Sequence, residues 1–265
     1  MKKYYTNELR GDGFGANYQS LICAILYAEV YCNGEFVYTK PNLRSIYGDE
    51  CDEYENIMNL SGAFKSINDI DNKNEIEIID IPKSYSIVEE NIDLYLKSDT
   101  MKKIRCLFKQ NKMIDNKFDN NYNHVAIHIR RPSLHPNIDN LSEHREGWDK
   151  TTMNIDELIN RTPRFTSDFY FMNIINHIRN TCTSKKNIFH IISEGKHEDF
   201  NNFKGDDIIF HLNEPVNDSY IYMVMSNILI MSCSSFSYVA ALLNENTVYY
   251  KEGFFHKKAS YWISM

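Results

Sequence analysis

Three polar clusters in the second half of the sequence carry the side chains best suited to chemistry. They are His128-Ile-Arg-Arg131, Ser193-Glu-Gly195 and the serine-rich stretch Ser232–Ser237. A guanidinium is planar, permanently charged and shaped to bind a phosphate, and the N–H groups at a helix N-terminus bind anions. The clusters therefore favour a phosphate-bearing ligand. One of the two arginines could offset the negative charge that grows as a diphosphate leaves.

Each cluster also has a simpler interpretation. Arg130 and Arg131 could be solvated at the end of a strand or paired with acids. Ser234 or Ser237 could cap a helix, and Glu194 could lie in an ordinary surface turn. Capping needs one serine, whereas the stretch from 232 to 237 contains four. Spacing alone leaves both interpretations open.

Alternating strand and helix patterns determine where these clusters lie. In the second half we predict strands at 124–129, 187–192, 207–210, 227–231 and 247–250, the last being the final strand, and helices at 167–179, 219–226 and 238–243. Strands that alternate with helices favour an α/β fold with a parallel sheet. Ligands of such sheets bind at the carboxyl ends of the strands. Because each cluster follows a predicted strand, all three are expected to face one crevice.

The first half has weaker signals. Strands are predicted at 35–38 and 76–81, and helices at 20–30 and 87–111. A glycine loop precedes the first helix, and Gly13 and Gly15 would let the backbone approach a ligand closely. The asparagine-rich segment 116–123 is the predicted boundary between two lobes, 1–118 and 119–265.

Composition excludes several function classes. The net charge of −7 argues against a general nucleic-acid binder. The six cysteines form no Cys-x-x-Cys pair, which favours reduced thiols. No signal peptide and no apolar run long enough to span a membrane is visible. We therefore expect a soluble, cytoplasmic protein. No ligand set has metal-binding spacing, so no metal site is expected.

Taken together, the clusters resemble the α1,2-, α1,6- and protein O-fucosyltransferase superfamily. His128-Ile-Arg-Arg131 is similar to its first motif, and Ser234-Ser-Phe-Ser-Tyr-Val-Ala-Ala241 is similar to its third, with Asp218 in the lead-in. Ile192-Ser-Glu194 resembles the middle motif. Gly13-Phe-Gly-Ala-Asn17 resembles the glycine-rich opening of the α1,2 enzymes.

This resemblance implies a GT-B-like fold, with two Rossmann-like lobes and a nucleotide-sugar crevice between them. The first lobe would face the acceptor and the second would bind the donor. Transfer would be inverting, metal-independent and without a cofactor. GDP-fucose is the expected donor. Pro132-Ser133 stands where many relatives have Gly-Asp, which keeps another nucleotide sugar such as UDP-xylose as an alternative.

The resemblance also implies roles for individual residues. Arg130 would contact the donor's diphosphate, and Arg131 would support it or contact the base. His128 would shape the site, and Glu194 after Ser193 would meet the ribose or base. The third motif would line the phosphates with Ser234, Ser235, Phe236 and Ser237.

Transfer to a hydroxyl needs a general base within hydrogen-bond reach of the acceptor. The candidates are loop residues, each of which could equally be a solvated side chain: Asp12, His135, Asp139, Glu143 and His144. The acceptor could be a glycan, a protein or a lipid-linked sugar. Two other classes stay open, namely a catalytically silent relative that binds glycan or nucleotide, and a different α/β enzyme with a phosphate-bearing ligand.

Overall fold

The structure is a computed structural model, and it describes residues 3–41, 51–72, 75–110, 112, 117–131 and 165–265. The chain divides into two compact units. The first comprises Met1–Lys112 and Phe255–Tyr261, and the second comprises Met113–Phe254 and Trp262–Met265. The expected division at residue 118 does not anticipate the return of 255–261 to the first unit, because only tertiary contacts produce that return.

The first unit contains a parallel sheet of four strands. They are β1 (Tyr4–Asn7), β2 (Glu35–Tyr38), β3 (Lys65–Ser66) and β4 (Ile76–Ile79), in the order β3-β2-β1-β4. Every neighbouring pair is parallel. The sequence predicts β2 and β4 but not β1. The four residues of β1 are too few to show a periodic pattern.

Helices of the first unit differ from the sequence prediction at their ends. They are α1 (Phe14–Leu26), which continues as a π-helical segment (Tyr27–Tyr31), then α2 (Cys51–Met58), α3 (Ile81–Glu90), α4 (Ile92–Leu96) and α5 (Asp99–Lys109). The single helix predicted over 87–111 is wrong. Asn91, which has non-helical backbone angles, separates α3 from α4. Ser98 then starts α5, and its hydroxyl accepts from Met101 N over 3.1 Å.

The second unit contains a parallel sheet of six strands. They are β5 (Tyr122–His128), β6 (Lys186–Ser193), β7 (Ile208–Leu212), β8 (Ile228–Ile230), β9 (Thr247–Tyr250) and β10 (Ile263–Ser264). Their order is β10-β9-β8-β5-β6-β7, and all pairs are parallel. The α/β class with two parallel sheets is therefore confirmed. The expectation that β9 is the final strand is wrong, since β10 pairs beside it.

Alternate residues of the central strands form two different faces of this sheet. Val125, Ile127 and Ile129 point into an apolar core formed with helix α6 (Asp168–Thr181). The opposite face carries His124 and His128 and is covered by α7 (Val216–Met225) and α8 (Ser235–Leu243). Within the described ranges, no helix is long and apolar enough to cross a membrane.

The strand order of the second unit reverses at β5. β6 lies beside β5, and β7 lies beside β6 at one edge of the sheet. The next strand in the sequence, β8, lies on the opposite side of β5. Open parallel sheets bind ligands outside the carboxyl ends of the strands where the order reverses in this way. In the second unit that position is the carboxyl edge of β5 and β8.

Candidate functional site

Two side-chain contacts join the carboxyl ends of β5 and β8. Arg130 Nη1 donates to Ser234 Oγ over 3.1 Å, and His128 Nδ1 lies 2.8 Å from Ser232 Oγ. The partners in each contact are 104 residues apart in the sequence. The structure thus brings the first and third clusters together at the point where the strand order reverses.

The second cluster lies beside the same strand. Ser193 Oγ donates to the Ile129 carbonyl over 2.7 Å, and Ile129 N donates to the Ile192 carbonyl over 3.0 Å. Glu194, the next residue, is exposed at the end of β6. Its carboxylate is therefore placed at the carboxyl edge of the sheet, one strand away from Arg130.

The two adjacent arginines point to opposite sides of the chain, as neighbours in an extended segment do. Arg131 is buried, with its side chain only 3% exposed, and Nη2 donates to the Asp168 carboxylate at the start of α6. Its guanidinium also lies 5.0 Å from the Phe200 ring centroid. Arg130 is half-buried on the side of α8. Arg131 therefore matches the simpler interpretation of pairing with an acid, whereas Arg130 lies at the sheet edge.

His128 contributes shape rather than charge. Burial, and then the nearby charge of Arg130, lower the pKa of His128 to about 3 from its ordinary 6.5. Its ring lies 5.2 Å from that of Phe236. The imidazole is therefore neutral near pH 7. The positive charge at this edge comes from the Arg130 guanidinium and the N-terminal end of α8.

The serine-rich turn is held mainly by its own hydroxyls. Ser234 caps α8, with Oγ accepting from Phe236 N over 3.3 Å. Ser237 Oγ donates to the carbonyls of Ser232 and Ser234 over 3.2 and 3.3 Å. Ser235 and Phe236 are half-buried in the first turn of the helix. Capping thus accounts for much of the serine content, and the start of α8 lies next to Arg130.

Asp218 lies in the first turn of α7 and has a different partner. Its carboxylate forms an ion pair with Lys117 Nζ at 2.9 Å, and the same ammonium lies 4.9 Å from the Tyr222 ring centroid. Within the described part of the chain, no hydrogen bond or ion pair joins Asp218 to Arg130. The structure therefore places Asp218 in a surface ion pair beside α7.

The candidates in the first unit lie around the start of α1. Gly13 is the residue before the helix, and Gly15 is buried within its first turn rather than in an open loop. Asp12 accepts from Gly13 N over 2.7 Å and pairs with Arg10. The helix therefore begins at Phe14, earlier than the predicted residue 20.

The other base candidates cannot be placed. Asp139 and Glu143, with His135 and His144, lie outside the described residues. Among the described residues, no group of three or more His, Cys, Asp or Glu side chains is arranged to hold a metal ion.

Two residues at this edge are missed by the sequence analysis. Asp168 accepts a hydrogen bond from Arg131. It follows Ser167 in the first turn of a helix, a position where an acidic side chain is favoured and which the sequence could have indicated. The side chain of Asn213 forms two hydrogen bonds with the backbone of Gly195. Gly195 N donates to Asn213 Oδ1 over 3.0 Å, and Asn213 Nδ2 donates to the Gly195 carbonyl over 2.8 Å. Asn213 has φ +57°, and no local pattern indicates that it contacts the end of β6.

No family model matches the sequence, and no curated protein matches it. Solved structures of fucosyltransferases resemble the chain over most of its length. NodZ α1,6-fucosyltransferase soaked with GDP-fucose has a TM-score of 0.43 and 10% identity, covering 92% of this chain and 93% of that chain. NodZ from Bradyrhizobium gives 0.43 and 8%, covering 92% and 94%. POFUT1 in complex with GDP gives 0.41 and 13%, covering 92% and 95%. At such low TM-scores and identities, these similarities carry no functional conclusion for this chain.

Proposed function

We propose that the chain is a glycosyltransferase whose second unit binds the diphosphate of a nucleotide-sugar donor at the carboxyl ends of β5 and β8. The observation that carries this proposal is the contact between Arg130 and Ser234. It places a guanidinium beside the N-terminus of α8 at the edge where the strand order reverses. A permanent cation and a helix N-terminus together are suited to a diphosphate.

The same arrangement suits the chemistry of transfer. The bond from the anomeric carbon to the diphosphate oxygen breaks, while the acceptor oxygen bonds to that carbon and its proton passes to a general base. Negative charge grows on the departing diphosphate, where Arg130 and the start of α8 would stabilise it. An inverting reaction without a metal ion is part of the proposal. The base is proposed to come from Asp12, Asp139 or Glu143.

The neighbouring residues support Arg130 in different ways. Arg131 and Asp168 anchor the backbone next to it through a buried ion pair. His128 fills the space between the strand end and Phe236 without adding charge. We propose that Glu194 binds a ribose hydroxyl or a base edge, since its exposed carboxylate is one strand away.

The proposed donor is GDP-fucose, supported by the resemblance of the first and third motifs to fucosyltransferases. A UDP-sugar is the alternative donor. In a GT-B arrangement the first unit would bind the acceptor, a glycan or a protein. Free thiols at Cys23, Cys32, Cys106, Cys182 and Cys233 are typical of a reducing compartment, and the cytoplasm is the proposed location.

A thermal-shift panel tests the proposal directly. A ligand that binds only the folded state raises the melting temperature. GDP, UDP, ADP, CMP, GDP-fucose and UDP-xylose are compared with and without EDTA. Stabilisation by GDP and GDP-fucose that EDTA leaves unchanged supports the proposal, and selective stabilisation by UDP would change the donor. No response to any nucleotide would refute the site.

A turnover measurement separates the transferase from a silent relative. The protein is incubated with GDP-fucose and a mixture of glycan acceptors, and released GDP is measured against the Arg130→Ala variant. Release that depends on acceptor and on Arg130 supports transfer. Binding of GDP without any release would favour the silent relative instead.

A further inference from the structure

Three buried histidines form a continuous hydrogen-bonded ladder across β5, β6 and β7. His124 Nδ1 lies 2.9 Å from His190 Nε2, and His190 Nδ1 lies 2.9 Å from His211 Nε2. At one end His124 Nε2 is 3.0 Å from the Asp119 carbonyl oxygen. At the other end His211 Nδ1 is 2.8 Å from Glu214 Oε1. The proposed donor site uses none of these side chains.

The surroundings of the ladder are mostly aromatic. Tyr222 of α7 stacks on His190 with centroids 4.9 Å apart and lies 4.0 Å from the ring of His211. The other rings in contact with it are Phe118 and Tyr122. Its charged neighbours among the described residues are Lys117 and Asp218, which pair with each other, the Asp119 carboxylate, which accepts from Asn121 N, and Glu214. Glu214 is the described carboxylate that contacts an imidazole of the ladder.

Hydrogen-bond directions along the ladder follow from its carbonyl end. A carbonyl oxygen can only accept, so His124 Nε2 donates, and His124 Nδ1 must accept from His190 Nε2. His190 Nδ1 must then accept from His211 Nε2. Three neutral imidazoles supply three protons, and an ionised carboxylate supplies none. The fourth contact, between His211 Nδ1 and Glu214 Oε1, therefore needs one more proton.

We propose that the ladder and Glu214 hold this fourth proton at neutral pH in the contact between His211 Nδ1 and Glu214 Oε1, so that the two residues form an ion pair. The central imidazole does not compete for it. Burial, and then the neighbouring imidazoles of His211 and His124, lower the pKa of His190 to about 3. The carboxylate of Glu214 offers the proton a position beside an opposite charge.

The proton acts on the loop that follows β7. Glu214 comes directly after Asn213. The side chain of Asn213 bonds to the N–H and the carbonyl of Gly195, and its backbone N–H donates to the Ser193 carbonyl over 3.0 Å. When the fourth proton leaves, a lone pair of His211 faces the carboxylate at 2.8 Å. Repulsion then moves Glu214 away and loosens the contact between Asn213 and Gly195.

Glu214→Gln is a matched variant that keeps the hydrogen bond and removes the need for the proton. The glutamine amide can donate to His211 Nδ1, which completes the ladder with three neutral imidazoles. The full chain is labelled with ¹⁵N-histidine, and its imidazole nitrogens are observed by NMR at about pH 8, well above the ordinary histidine value of about 6.5. The wild type is expected to show an imidazolium pattern for His211 that the variant lacks. Comparison with the variant is required, since His256 also contacts a carboxylate, Glu89, at 2.5 Å.

Two further readouts follow from the same proton. The Gly195 amide signal should shift in the wild type when the fourth proton leaves and stay constant in Glu214→Gln. By linkage, the folded state binds one proton more than the unfolded state above about pH 6.5. The unfolding constant, followed in urea through the imidazole signals, should therefore rise more steeply in the wild type than in Glu214→Gln, by up to about a further tenfold per pH unit.

Glu198→Gln is the control, because it removes an exposed carboxylate of the same unit and should retain the imidazolium pattern. Three neutral ladder imidazoles in the wild type, with a spectrum matching Glu214→Gln, would overturn the inference. The measurements use no nucleotide, so their result does not depend on whether the proposed donor site is correct.

Discussion

Replacing Arg130 with alanine removes the guanidinium on which the proposed diphosphate site depends. Arg130 is half-buried at the end of β5 and donates to Ser234 Oγ over 3.1 Å. A hydrogen bond to a charged group contributes about 1.5–3 kcal/mol, and about 1.4 kcal/mol corresponds to a tenfold change in affinity. Loss of one such bond is therefore expected to raise the Kd for GDP by about 10-fold to 150-fold. Arg130→Lys keeps the charge without the planar fork and should lie between wild type and alanine.

Isothermal titration calorimetry with GDP measures this effect, and urea unfolding of the same samples reports the fold. Arg179→Ala is the matched control. Arg179 forms a two-bond pair with Asp207, at 2.7 and 2.8 Å, where α6 ends and before β7 begins. This position is the amino edge of the sheet, so GDP affinity should be unchanged. Wild-type affinity in Arg130→Ala, with the control equally unaffected, would refute the assignment of the phosphate site.

Three further predictions concern the residues around this edge. Asp168→Ala leaves the buried Arg131 without its carboxylate and should lower the free energy of unfolding by about 3–5 kcal/mol in urea titrations; a loss well below this range would mean that water replaces the carboxylate. Because the pKa of His128 is lowered to about 3, the folded state binds fewer protons than the unfolded state. The contribution of His128 to stability should therefore be fully present above pH 6.5 and be lost by up to about 1.4 kcal/mol per pH unit as the pH drops toward 3; His128→Gln should show a shallower fall than the wild type. Gly195→Ala forces a side chain at φ +127°, with its Cβ 2.8 Å from Asp199 Oδ2, and should cost roughly 1–3 kcal/mol by thermal or urea unfolding; an unchanged unfolding curve would contradict the strain.

Long elements of the second unit could be read from the sequence because local pattern and burial agree there. The apolar run at 124–129 gives β5, the run at 187–192 gives β6, and helix α6 follows from its apolar spacing. Short elements could not be read in this way. β1 and β10 have four and two residues, and each becomes a strand by pairing with another segment, β1 with β4 and β10 with β9. The ends of helices were also not predicted, because they depend on single capping residues such as Ser98.

The sequence by itself determined the class of fold and the nomination of the pair Arg130 and Arg131, because guanidinium groups after an apolar strand and a serine-rich turn before a helix are local patterns. Tertiary structure decided where each arginine side chain lies. Alternation along the extended chain sends Arg131 into a buried pair with Asp168 and leaves Arg130 beside Ser234. Only the folded sheet aligns His124, His190 and His211, because their contact depends on strand register, and register is a property of pairing between segments rather than of any one segment.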